Sequence, residues 1–220
     1  HIDGLKLMDQ TMNETDHSII AKINYGITLQ NAPNCVIRNC EITKVGIGIA
    51  AKDGSNNSLI EQNNIFNLRA IVNSIGGSDD YGANAMVIGS STNLIQRNRF
   101  EGCWANSYDY GFLGGTIELF NTLINDNQLL YNIAINCNGF LEVGSESNGQ
   151  AINNLIAYNK IINCGRTAIF HNKVNGNFVN TNNTKFFNNV IIENKIQFTR
   201  ASSMFWYADP TLNDIVILKN

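Results

Sequence analysis

The sequence predicts an all-β solenoid, a coil of short strands stacked rung on rung. Three observations carry this. A six-residue pattern recurs: Ile, two residues, Asn, one residue, then an aliphatic or aromatic residue. Its fourth position is nearly always Asn. No stretch shows helical periodicity. The copies read "IRNCEI" from Ile37, "IEQNNI" from Ile60, "IQRNRF" from Ile95, "INDNQL" from Ile124, "IAYNKI" from Ile156 and "IIENKI" from Ile191. Their spacings of 23, 35, 29, 32 and 35 residues fit a fixed coil with loops inserted into it. The fourth position holds Cys40 and then Asn63, Asn98, Asn127, Asn159 and Asn194. Stacked amides can bond along such a ladder, and Asn also tolerates left-handed backbone. The flanking β-branched residues suit a buried sheet.

These repeats resemble the right-handed parallel β-helix proteins of the pectate-lyase-like class. The resemblance covers nearly the whole chain. It implies an all-β, right-handed, single-stranded parallel β-helix over residues 1–220. It does not imply one activity, because lyases, hydrolases, esterases, adhesins and tailspikes share this fold. "IDGLKL" from Ile2 fits the pattern with Leu5 in the Asn slot, and "ILKN" from Ile217 starts another copy. Both ends therefore fall inside coils. The expectation is a section of a longer β-helix, or one whose ends an adjoining chain or oligomer partner caps.

Composition narrows the partners. The net charge is -3 and no basic stripe occurs, which argues against nucleic acid. No apolar run approaches the length of a membrane span. Five cysteines make no zinc spacing. Five residues past the ladder slot come Val45, Leu68, Cys103, Cys164 and Thr199, so Cys103 and Cys164 read as core thiols.

Each coil needs a second strand ahead of the Ile-x-x-Asn strand. "AMVIG" (85–89), "TIELF" (116–120), "FLEVG" (140–144), "AIFHN" (168–172) and "MFWYA" (204–208) supply it. With Met86 and Ile88 inward, the matching inward pairs are Ile117 with Leu119 and Leu141 with Val143. Alternation then sends Val87, Glu118 and Glu142 outward in one column. Like charges on neighbouring strands destabilise a sheet, so this pair reads as functional. Interacting carboxyls also push their pKa values apart, which separates an acid from a base.

The surroundings agree. Asp79 and Asp80 lie in a long insertion before one such strand, and Trp104, Tyr108, Asp109 and Tyr110 in another. Arg166 and His171 follow on the next coil, and Trp206 on the one after. Aromatics and acids on an open face suit a polysaccharide, with Trp104, Tyr108, Asp109, Tyr110, Arg166, His171 and Trp206 as contacts. The first expectation is a polysaccharide glycosidase, secreted or at the cell surface, with no cofactor, whose catalytic carboxyls are Glu118 with Glu142 at a retaining distance, or either of them with Asp79, Asp80 or Asp109 at an inverting one. The second is a polysaccharide lyase, in which Asp79, Asp80, Glu118 and Glu142 hold Ca²⁺ and Arg166, Lys173 or His171 is the base. The third is a non-catalytic adhesin, sheath or tail protein. The tandem Asp79-Asp80 beside a Glu-bearing rung also resembles archaeal disaggregatase-like enzymes, which implies a uronic-acid-containing cell-envelope polysaccharide as substrate.

Overall fold

The computed structural model describes residues 1–8, 19–145, 149–171, 179–192, 205–207 and 216–218. The chain winds through three parallel sheets, one short strand in each per coil. The front sheet holds Tyr25–Leu29, Ile47–Ala51, Asn84–Ile88, Gly115–Phe120, Leu141–Gly144, Ala168–Phe170 and Phe205–Tyr207. The second sheet runs from Ile2–Asp3 through Val36–Arg38, Leu59–Glu61, Leu94–Gln96, Gln128–Leu130, Leu155–Ala157 and Lys185–Phe187 to Val216–Leu218. The third runs from Lys6–Met8 through Glu41–Thr43, Asn64–Phe66, Arg99–Glu101, Ile133–Ile135 and Lys160–Ile162 to Val190–Ile192. The coil has the right hand that parallel crossovers adopt.

Columns of identical register fill the interior. Ile37, Ile60, Ile95, Leu129, Ile156 and Phe186 stack in the second sheet, all fully buried. Ile42, Ile65, Phe100, Ala134 and Ile161 stack in the third, where the small Ala134 follows the bulky Phe100. Large beside small keeps the volume constant and avoids voids.

The corner between second and third sheets is the most regular part. In each coil it carries one residue in the left-handed region: Asn39, Gln62, Arg97, Tyr131, Tyr158 and Asn188, with φ between 52° and 59°. Such a conformation costs an L-residue about 1–2 kcal/mol. The next residue offsets it. Asn63, Asn98, Asn132, Asn159 and Asn189 are buried, and their amides form a continuous ladder. Asn98, for example, donates through Nδ2 to Ile60 O at 2.9 Å and to Asn132 Oδ1 at 3.1 Å. Its own Oδ1 accepts from the backbone and side chain of Asn63, both at 3.0 Å.

The copies assigned from Ile124 and Ile191 start at Leu129 and Phe186, so Asn132 and Asn189 occupy the ladder in place of Asn127 and Asn194. Asn127 belongs to a second ladder at the preceding corner, Ser58–Asn93–Asn127–Asn154. The two ladders lie five residues apart, so a copy five residues out of step still matches. The left-handed residue is also the one before the ladder position, not the ladder Asn itself. The corrected register adds Cys137 to the thiol column. Cys103, Cys137 and Cys164 are all buried, and all five cysteines are free. Each of these three donates its thiol to the carbonyl two residues back, at 3.8, 3.4 and 3.6 Å. Burial pushes the Cys103 thiol up. The slot assigned to Thr199 lies outside the described residues.

Candidate active site

The front sheet forms the expected column. Val87 pairs with Glu118, Glu118 with Glu142, Glu142 with Ile169, and Ile169 with Trp206. Ala50 precedes Val87. Burial alternates as a one-sided strand demands: Ile117 and Leu119 are inside, while Glu118 between them is only partly buried. Leu141 and Val143 flank Glu142 in the same way.

The two carboxyls have different partners. Asn84, one coil back, donates Nδ2 to Glu118 Oε2 at 2.7 Å. Glu142 Oε1 meets His171 Nε2 at 2.6 Å. Burial, then the neighbouring charge of Glu142, raises the Glu118 pKa to about 8, against the opposing hydrogen bond from Asn84. At neutral pH Glu118 therefore keeps its proton. One carboxyl is a proton donor, and the other faces an imidazole.

Two insertions wall the cleft. The first closes through an antiparallel pair, Ala70–Val72 with Tyr81–Gly82. The second is a hairpin, Ala105–Ser107 with Gly111–Leu113. Asp80 ties them together. Its Oδ2 accepts from Ser107 Oγ at 2.7 Å and Asp109 N at 3.1 Å, and its Oδ1 from Ser74 N at 2.7 Å. Asp109 Oδ2 returns the link by accepting from Asp79 N at 3.0 Å. Burial would raise the Asp80 pKa, but the hydrogen bonds from Ser107 and the amides of Ser74 and Asp109 outweigh it and hold it below the usual range. Tyr110 adds a bond from its hydroxyl to Ser78 O at 2.5 Å.

The sequence-derived residues thus fall into groups. Glu118, Glu142, Asp80, Tyr110, Arg166 and His171 line one cleft. Asp79 and Asp109 belong to the loop clamp. Trp104 packs edge-on against Phe112, with ring centroids 5.6 Å apart. Tyr108 is 67% exposed at the hairpin tip. Trp206 holds the next-but-one register position after Glu142, and its side chain, like Lys173, lies outside the described residues. The proposed Ca²⁺ set splits in two: Glu118 pairs with Glu142, while Asp79 and Asp80 group with Asp109, their oxygens within 4.8 Å of one another. Hydrogen bonds cross-link this trio, and the glutamates are not part of it. Sequence reasoning placed Tyr81 in the wall insertion, and it lines the cleft; it missed Asn84, Phe112, Asn138 and two glycines, Gly115 and Gly139. Asn84 had one usable signal, its place at the head of a strand in register with Gly115.

Parallel coils, three sheets and buried ladders are matched by a family model described as a right handed beta helix region, over residues 3–155. The chain belongs to the right-handed β-helix family. No curated protein matches it. No solved structure matches it. This β-helix family fits carbohydrate-active proteins generally and is common among polysaccharide-degrading enzymes, without being specific to them. Nothing in these comparisons supports the narrower likeness to archaeal disaggregatase-like enzymes. Among the described residues, no helix is long and apolar enough to cross a membrane.

Proposed function

We propose that this β-helix protein is a glycoside hydrolase acting on an acidic, uronic-acid-containing polysaccharide of the cell envelope or extracellular space. The observation that carries the reading is the Glu118–Glu142 pair, adjacent in register and differently partnered. Glu118, protonated at neutral pH, is the general acid toward the glycosidic oxygen. Glu142, oriented by His171, is the carboxylate that attacks the anomeric carbon or activates water. Adjacent rungs lie about 4.8 Å apart, and Glu118 turns to Asn84 on the rung before while Glu142 turns to His171 on the rung after, so the anomer is read from the products. Arg166, in the same cleft, suits a substrate carboxylate. Asp80 and Asp109 serve by holding the wall.

Arg166 and His171 in one cleft also favour a second reading, β-elimination, with the guanidinium neutralising a uronate and the imidazole abstracting a proton. Product analysis separates the two. Polygalacturonate, alginate and hyaluronan are digested with the parent, Glu118→Gln and Glu142→Gln, with and without EDTA. New reducing ends on saturated sugars, lost in either variant and insensitive to EDTA, are the expected result. Unsaturated, ultraviolet-absorbing products would move the protein to the lyases. Binding without cleavage would leave a glycan-binding adhesin, sheath or tail component.

A further inference from the structure

A second row of positions runs beside the glutamate column. Asn84 pairs with Gly115. Gly139 O accepts from Thr116 N at 2.9 Å, which sets Gly139 beside Gly115 on the next rung. Arg166 O accepts from Phe140 N at 2.9 Å, which sets Arg166 one rung further. The row therefore reads Asn84, Gly115, Gly139, Arg166, with bare backbone at its centre, and it stands next to Val87, Glu118, Glu142 and Ile169.

Several other glycines are required by packing. A Cβ on Gly46 would stand 2.2 Å from Ile71 Cγ1, one on Gly48 would stand 2.5 Å from Ala85 O, and one on Gly26 would stand 2.6 Å from Gly48 O. Gly54, Gly102 and Gly114 are required by positive φ. Gly115 and Gly139 meet neither demand. Their φ values lie outside the left-handed region. A Cβ on Gly115 would meet nothing nearer than 3.4 Å, and one on Gly139 nothing nearer than 3.8 Å. Alanine would fit at both, and glycine costs a strand order and packing. Glycine there leaves the backbone open to close approach from outside the chain.

We infer that Gly115 and Gly139 are the floor of a sugar-ring subsite, left bare so that one face of a pyranose rests on backbone beside Glu118 and Glu142. This rests on the polysaccharide-hydrolase reading and deepens it. The floor is rigid, since Gly139 O is held by both the amide and the hydroxyl of Thr116, at 2.9 and 2.8 Å. Its two ends are polar. Asn84 faces ring hydroxyls, and Arg166 at the far end recognises the carboxylate of a uronic acid. The subsite therefore selects an acidic sugar lying flat.

The test uses the full chain with Gly139→Ala and Gly139→Val. The readouts are KM and kcat on whichever of polygalacturonate, alginate and hyaluronan the parent cleaves, and the thermal midpoint of each variant. Binding of the same polymer is measured in a Glu118→Gln background. The expected result is a graded rise in KM, at least about tenfold for Val, with matching loss of binding and an unchanged or higher midpoint. A Val variant that binds and cleaves like the parent overturns the bare-floor subsite and leaves the hydrolase reading standing. So does a KM rise that is matched by a fallen midpoint. A parent that neither cleaves nor binds any of the three polymers overturns both.

Discussion

Asn84 reaches along the solenoid axis to Glu118, its amide nitrogen 2.7 Å from the carboxyl oxygen and one coil away. That bond opposes the burial that raises the Glu118 pKa to about 8. Activity should accordingly hold through neutral pH and fall as pH rises through about 8, when the acid loses its proton. In Asn84→Ala the opposing bond is gone, so the alkaline limb should move to higher pH. A pH–rate profile of the two proteins checks this, and an unmoved limb would detach Asn84 from the titration.

Stability should follow the same proton. Glu118 binds it more tightly folded than unfolded, so its contribution is full below the ordinary glutamate pKa and is lost as pH rises through about 8. Glu118→Gln carries no charge to bury. Its melting temperature should exceed the parent's at pH 9, and the gap should close toward pH 4. Thermal melts across that range test the sign.

Glu142 and His171 should separate in kinetics. Loss of the carboxylate in Glu142→Gln should cost on the order of 10²–10⁴ in kcat. His171→Gln keeps a hydrogen-bonding side chain near Glu142 Oε1 and should cost less. Equal losses from both would mean that the imidazole itself reacts.

The loop clamp predicts a different phenotype. Asp80→Asn turns one acceptor oxygen into a donor, facing Ser74 N at the Oδ1 position or Ser107 Oγ and Asp109 N at the Oδ2 position. Amide hydrogen exchange should quicken across 73–81 and 105–113 while the stacked core stays protected. KM should rise more than kcat falls. Exchange that quickens throughout would mean that the clamp supports the whole fold.

Asn98 sits mid-ladder, with four hydrogen bonds through one side chain. Asn98→Ala strands buried partners on both adjacent rungs and should cost about 3 kcal/mol or more. Urea unfolding measures it.

The glutamate column was legible because period two is rigid. An acid between two core aliphatics has only one way to point, and matching strands by their inward pairs sets the register. The coil register was harder. Asn127 and Asn132 both sit in the same six-residue pattern, and only the stacking of Leu129 on Ile95 distinguishes them. Cys137 was lost with that slip. Asp80 read as a free acid because hydrogen-bond acceptors leave no trace in a sequence. Gly115 and Gly139 look like any other glycine until the space above them is measured.

Between the second and third sheets the step from core residue to core residue is always five: Ile37 to Ile42, Ile60 to Ile65, Ile95 to Phe100, Leu129 to Ala134, Ile156 to Ile161 and Phe186 to Ile191. The third-to-front step is not constant: Ile42 to Ile49 takes seven residues, while Ile65 to Met86 takes 21. One edge of the molecule therefore sets the pitch, and the edges flanking the front sheet are free to grow. A descendant of this chain could exchange its walls, and with them its diet, while inheriting the spine intact.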